Sequence, residues 1–261
     1  MTTSPRAAPR PVAAHRIWIP RQHGAWAMLL LPVLLGVAAS EPSPWQLLVA
    51  IEALAAYLAS TTFQTWFRGR RPLAYRSPLA VYTSLAAVVG VILLLRFPAL
   101  ALAALVAVPL GVIVFRGAQP GTRRDLANSL AQVAQALVLV PVTAWVSGAW
   151  DPQVVVAYTL VAAGYQVGTV LVVRSVLRER GNQAFAAFSA AFHVALVVLA
   201  ALTLPAAYAV VAAGLAARAI ALPIAQRRLA RGRRPLRPVH VGIVEGIASL
   251  AVVLASFAAP I

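Results

Sequence analysis

Five ionisable side chains sit inside or at the rim of long apolar runs: Glu52, His193, Arg218, His240 and Glu245. A charge in hydrocarbon is costly, so such groups turn toward a cavity or a partner and are the first places to look for function. Glu52 falls eight residues after Pro44, roughly 12 Å along a helix. Two roles fit it, a proton- or cation-carrying acid and a protonated carboxyl bonded to a nearby backbone carbonyl. His193, between Phe192 and Val194, is open to a core role or a ligand role. His240 and Glu245 stand five residues apart and do not share a helical face. Glu245 therefore needs a cation from another segment, and Arg218 is the expected partner, with snorkelling to the interface as that arginine's alternative. No three or four of these groups have metal-ligand spacing, so no metal site is expected.

Three further sets lie at the membrane border. Arg174, Arg178 and Asn182 step by four and share one face if their helix continues. Gln64 and Arg68 repeat that step at the end of an earlier segment, with Trp66 and Phe67 as interface aromatics. Two guanidinium-bearing ends facing one another would hold an anion, because arginine matches phosphate or carboxylate with two parallel bonds. Arginines resting on lipid phosphates are the alternative. Asn128, Gln132 and Gln135 form a polar stripe beside Arg123, Arg124 and Asp125, which suits a cavity wall or interhelical hydrogen bonds. His23, next to Gly24 at the mouth of the first apolar segment, completes the set. The candidate ligand site is thus His23, Gln64, Arg68, Asn128, Gln132, Arg174, Arg178 and Asn182. No nucleophile with an adjacent base, Gly-rich phosphate loop or cofactor motif is present, so catalytic residues are not assigned and no cofactor is expected.

The elements that must position these residues are apolar runs long enough to cross a core of roughly 30 Å. Nine are expected, at 22–39, 44–67, 78–95, 98–115, 128–147, 152–173, 183–203, 204–225 and 239–259. Pro32, Pro109 and Pro141 fall inside them and should kink them. Residues 1–20 read as a disordered Pro- and Arg-rich leader, and 21–261 as one transmembrane domain. The leader precedes a long apolar run, so no cleavable signal peptide is expected.

Of the 261 residues, 61% are hydrophobic and 11% charged, too few polar groups to cover a soluble globule. The fold class is all-α, polytopic and membrane-embedded. The net charge of +16 comes from 22 basic residues, all arginine, against 6 acidic ones. Such a charge often marks nucleic-acid binding. Here every arginine except Arg96 lies in the leader or near the ends of the second, fourth, sixth and eighth segments, which is the pattern of membrane orientation, so no nucleic-acid partner is expected. The N-terminus is expected in the cytoplasm and, with nine crossings, the C-terminus outside, in a multi-pass protein of the cytoplasmic membrane. The absence of cysteine excludes disulfides, thiolate metal sites and a thiol nucleophile.

Pro20-Arg21-Gln22-His23-Gly24-Ala25-Trp26-Ala27-Met28, followed by apolar 29–36, resembles the opening signature of the YwiC-like family of bacterial membrane proteins. The run from Val173-Arg174-Ser175 to Arg178-Glu179-Arg180-Gly181-Asn182 is similar to a later block of that family. The resemblance implies an integral membrane protein and implies no reaction. More distantly, nine helices with cytoplasmic loops after the second and sixth resemble the UbiA superfamily of membrane prenyltransferases. That likeness implies two aspartate-rich motifs in those loops, holding magnesium against an isoprenoid diphosphate. Here the positions carry Gln64, Arg68, Arg174 and Arg178, with Glu179 the one acid, so metal-dependent prenyl transfer is disfavoured.

The leading functional expectation is binding of an amphiphile with an anionic head, such as an isoprenoid phosphate or quinone precursor, in a cytoplasm-facing cavity. Membrane lipids are the expected surroundings, and no protein partner is indicated. The alternatives are a small-solute transporter or channel using Glu52, His193 and Glu245, and a non-catalytic component of a membrane assembly.

Overall fold

The computed structural model describes residues 15–18, 23–68, 72–117, 126–232 and 235–261. Eleven helices follow in order: α1 (His15–Trp18), α2 (His23–Ala38), α3 (Pro44–Arg68), α4 (Arg76–Arg96), α5 (Leu100–Gly117), α6 (Leu126–Leu137), α7 (Leu139–Trp145), α8 (Pro152–Leu177), α9 (Gln183–Thr203), α10 (Ala206–Arg231) and α11 (Pro238–Ala258). A short 3-10 turn, Pro72–Tyr75, leads into α4. Among the described residues there is no strand, and the nearest thing to one is a bridge between Ser40 and Trp150.

Proline and short polar side chains set the helix starts. Pro44, Pro152 and Pro238 open α3, α8 and α11, where a missing N–H costs nothing. Asp151 caps α8 by accepting from the Gln153 and Val154 amides at 2.7 and 3.4 Å. Interior prolines act where expected in two cases. Pro141 has no N–H for the Leu137 carbonyl, and the fifth expected helix breaks there into α6 and α7. Pro32 likewise deprives the Met28 carbonyl within α2, and the side-chain amide of Gln166 on α8 takes that oxygen at 2.9 Å.

Eight stretches among the described residues are long and apolar enough to span a membrane, with α6 and α7 together making one. The chain is a multi-pass membrane protein. The expected first crossing is the exception to the count of nine: α2 has 16 residues, about 24 Å at 1.5 Å per residue, and its apolar part is Met28–Ala38. This short helix nevertheless contributes to the core of the bundle. Leu31 and Leu35 are almost wholly buried, in one cluster with Val140, Ala144, Tyr158, Ala162, Tyr165 and Val252 from α7, α8 and α11. Around it α3 pairs with α4, α5 with α6 and α9 with α10. No residue of α5 is buried, and its outward Leu102, Leu105 and Val108 are what a lipid-facing helix carries.

Within the stretch expected as a leader, His15–Trp18 forms one helical turn. Trp18 meets Tyr82 edge-on at 5.9 Å, and its carbonyl accepts the Tyr82 hydroxyl at 2.9 Å. Residues 1–14 and 19–22 lie outside the described residues. So do 69–71, 118–125 and 233–234, which include Arg70, Arg71, Arg123, Arg124 and Asp125.

Candidate functional site

The densest buried polar group joins α8, α9, α10 and α11. Arg218 on α10 reaches Glu245 on α11 through one contact, Nη1 to Oε2 at 2.6 Å, and the two residues are 8% and 5% exposed. Thr169 on α8 donates its hydroxyl to the same Oε2 at 2.8 Å. The Tyr165 hydroxyl, one turn earlier, donates to the Glu245 carbonyl at 3.0 Å and shares a hydrogen bond of 2.6 Å with Ser249. Its ring lies 6.0 Å from the Arg218 guanidinium carbon. An arginine next to a tyrosine face and a carboxylate gains both a cation–π and a Coulomb contact, which offsets part of the cost of its burial. The expected Arg218–Glu245 partnership is therefore present in the structure.

That pairing leaves three of its five side-chain nitrogen and oxygen atoms unused. Glu245 Oε1 and Arg218 Nε and Nη2 are buried and have no hydrogen-bond partner. Nearby on α9, His193 is 1% exposed and its Nδ1 stands 2.7 Å from the Ser189 carbonyl. A carbonyl only accepts, so Nδ1 carries the hydrogen and Nε2 of the neutral ring is an acceptor. Nε2 has no partner either. It lies over Gly168 of α8, where an added Cβ would come within 2.8 Å of it. The glycine is what admits the imidazole between the two helices.

The remaining candidates lie elsewhere. The Glu52 carboxyl rests over Gly90 of α4, with Oε2 buried and unbonded. His240 is exposed and accepts the Arg237 amide at 3.3 Å, a cap on α11 rather than a neighbour of Glu245. The polar stripe on the fifth segment divides: Asn128 is buried against Gly117 of α5, Gln135 donates to the Ala107 carbonyl at 3.3 Å, and Gln132 faces outward. Gln64 donates to Ser60 at 3.3 Å. The side chains of His23 and Arg68 lie outside the described residues.

The arginine face expected from Arg174, Arg178 and Asn182 does not form as one surface. Helix α8 stops at Leu177 with Arg178 as its C-cap, and Gly181 turns the chain at φ +85°, a conformation that costs glycine little. Asn182 then caps α9 by accepting the Phe185 amide at 3.1 Å. Arg174 pairs with Glu179 at 3.3 Å, and Asn182 Nδ2 reaches the other oxygen of that carboxylate at the same distance. Nor do α3 and α8 share an extensive contact among the described residues.

A groove of about 390 Å³ opens instead between the α8–α9 turn and the end of α10. Arg180, Arg227 and Arg231 line it, with Ala186, Pro223 and Ala230 as apolar walls. Gln226, 3% exposed, accepts the Leu236 amide at 2.7 Å through Oε1, while its Nε2 is buried at the groove without a partner. Of the expected ligand residues whose side chains are described, only Asn182 borders this groove. A signal was available in the i, i+4 spacing of Arg227 and Arg231, but it is visible only if the eighth helix runs on to Arg231, six residues beyond its expected end.

Residues 19–144 match the family model described as YwiC-like protein. Over 185 residues the chain is 31% identical to the uncharacterized protein YwiC of Bacillus subtilis (strain 168), covering 70% of this chain and 77% of that one. No solved structure matches. The family model spans α2 to α7, whereas the Arg218–Glu245 centre and the groove belong to α8–α11.

Proposed function

The chain belongs to the YwiC-like family, and on that footing we propose that it binds an amphiphile with an anionic head at the arginine-rich end of the bundle. The binding place is the groove between the α8–α9 turn and α10, not the facing ends of α3 and α8. One observation carries this reading: Arg180, Arg227 and Arg231 converge on a groove whose lining also includes the apolar Ala186, Pro223 and Ala230. Guanidinium groups supply the charge and paired donors that phosphate or carboxylate heads require, and the apolar wall offers a tail a place alongside lipid. Gln226 Nε2 adds a buried donor beside them. The acid in the groove, Glu179, is engaged by Arg174 and Asn182. By the distribution of arginines this end faces the cytoplasm, in the cytoplasmic membrane.

Native mass spectrometry of protein purified with its retained lipids tests the proposal. The expected result is one anionic amphiphile held beyond bulk phospholipid. It should be lost in the Arg227→Gln, Arg231→Gln double variant and kept in Arg76→Gln, an exposed arginine on α4. Bulk phospholipid alone on the unaltered protein would sink it.

A further inference from the structure

Separate from the groove, the Arg218–Glu245 contact has the composition of a receptor. Both residues lie in membrane-spanning helices and neither reaches the bundle surface. A pair present only as a staple would be expected to close with two parallel bonds, because each unbonded polar group in an apolar surround is costly. This pair makes one, and Glu245 accepts it and the Thr169 hydroxyl on the same oxygen, Oε2. The unbonded Nε and Nη2 of Arg218 share one edge of the planar fork, the edge that takes the two oxygens of a carboxylate. Beside them Glu245 Oε1 is an acceptor with no donor.

Charge decides what can enter. Arg218 and Glu245 sum to zero, so an anion alone would leave a net negative charge in a low-dielectric interior, and a proton alone a net positive one. An anion and a proton together leave the sum unchanged. Two carboxylates brought to one site hold a proton between them, because both cannot remain ionised at short range. The groups facing Glu245 raise no conflict: Tyr165 and Thr169 from α8, Arg218 from α10, and nothing ionisable among the described side chains of α2 packed on α11. His193 on α9 lies behind Gly168, its Nδ1 held by the Ser189 carbonyl.

We infer that the Arg218–Glu245 pair is the half-filled site of a small carboxylate-type anion, bound by the open edge of Arg218 and accompanied by one proton shared with Glu245 Oε1. Binding is noncovalent. The proton comes from solvent, the anion's oxygens accept from Nε and Nη2, and Oε2 keeps its bonds to Nη1 and Thr169.

Calorimetric titration of the full chain in lipid nanodiscs with acetate tests this, in buffers of different ionisation heat, at mildly acidic and mildly alkaline pH. The unaltered protein should bind acetate more tightly at acidic pH and take up one proton per anion. Arg218→Lys keeps the charge but loses the fork, and should weaken binding roughly tenfold or more. Glu245→Gln, which imitates the protonated acid, should bind at both pH values without proton uptake. Melting curves matching the unaltered protein establish that both variants are folded. Should one variant fail that check, the other and the proton count of the unaltered protein still decide. No saturable acetate binding, binding without proton uptake in the unaltered protein, or equal binding by Arg218→Lys would each overturn the inference.

Discussion

Gln166 donates its side-chain amide to the carbonyl of Met28 at 2.9 Å, and that carbonyl is the one Pro32 leaves without a helical donor. A side chain on α8 thus repairs the backbone of α2 at the bundle centre. Membrane interiors demand such repairs because no water is present to make them. Gln166→Leu should therefore destabilise the protein by about 1 kcal/mol, read as a lower melting temperature in detergent. Pro32→Ala returns an N–H to the Met28 carbonyl, so the same leucine substitution should cost less in that background. Equal costs in both backgrounds would show the two sites to be independent.

His193 and Gly168 make a second coupled pair. An alanine Cβ at 168 would stand 2.8 Å from Nε2 of a ring that is buried and fixed at Nδ1 by Ser189. Gly168→Ala should cost about 1–3 kcal/mol, the usual range for overpacking. Paired with His193→Ala, which removes the ring, it should cost nearly nothing. A thermal-melt double-mutant cycle measures the difference.

How far these contacts could be read from the chain depends on their range. The part of the bundle that is plain spanning helix follows from apolar length and punctuation: 183–203 coincides with α9, bounded by the Asn182 cap. Arg218 and Glu245 could be paired because few charges occur within apolar runs, so elimination finds the partner. Gln166 could not be found that way, since its meaning arises only when Pro32, far off in sequence, is packed against it. The arginine face failed for a local reason. A step of four implies one surface only while the helix lasts, and α8 ends at Leu177, before Gly181 turns the chain ahead of Asn182. Arg227 and Arg231 were indistinguishable from orientation arginines until α10 carried them to the groove.

Arg218→Met removes the cation from a carboxylate that keeps only Thr169, and should cost about 3–5 kcal/mol, the range for an orphaned buried charge. Adding Glu245→Leu should recover most of that, because Thr169 can turn its hydroxyl back to its own helix. Recovery would mean that apolar packing suffices for stability at this site, which leaves function as the reason for the charges. A double variant as unstable as the single one would assign the pair to folding instead. Denaturation of all three proteins in one detergent supplies the comparison.

The absence of cysteine makes each introduced thiol a unique reporter of sidedness. Ala149 lies exposed in the turn before α8, where its carbonyl takes the Glu41 amide at 3.2 Å, so 41 and 149 mark one end of the bundle. Arg228 is exposed at the other. If arginine sets orientation, Ala149→Cys should react with a membrane-impermeant maleimide in intact cells and Arg228→Cys only after permeabilisation. Arg10→Cys decides the short helix. Since α3 begins at the end marked by 41 and 149, a crossing α2 places residue 10 with Arg228, protected in intact cells. Labelling of residue 10 alongside residue 149 would mean that 16 residues enter the membrane without traversing it, leaving eight crossings and both termini on the outer side.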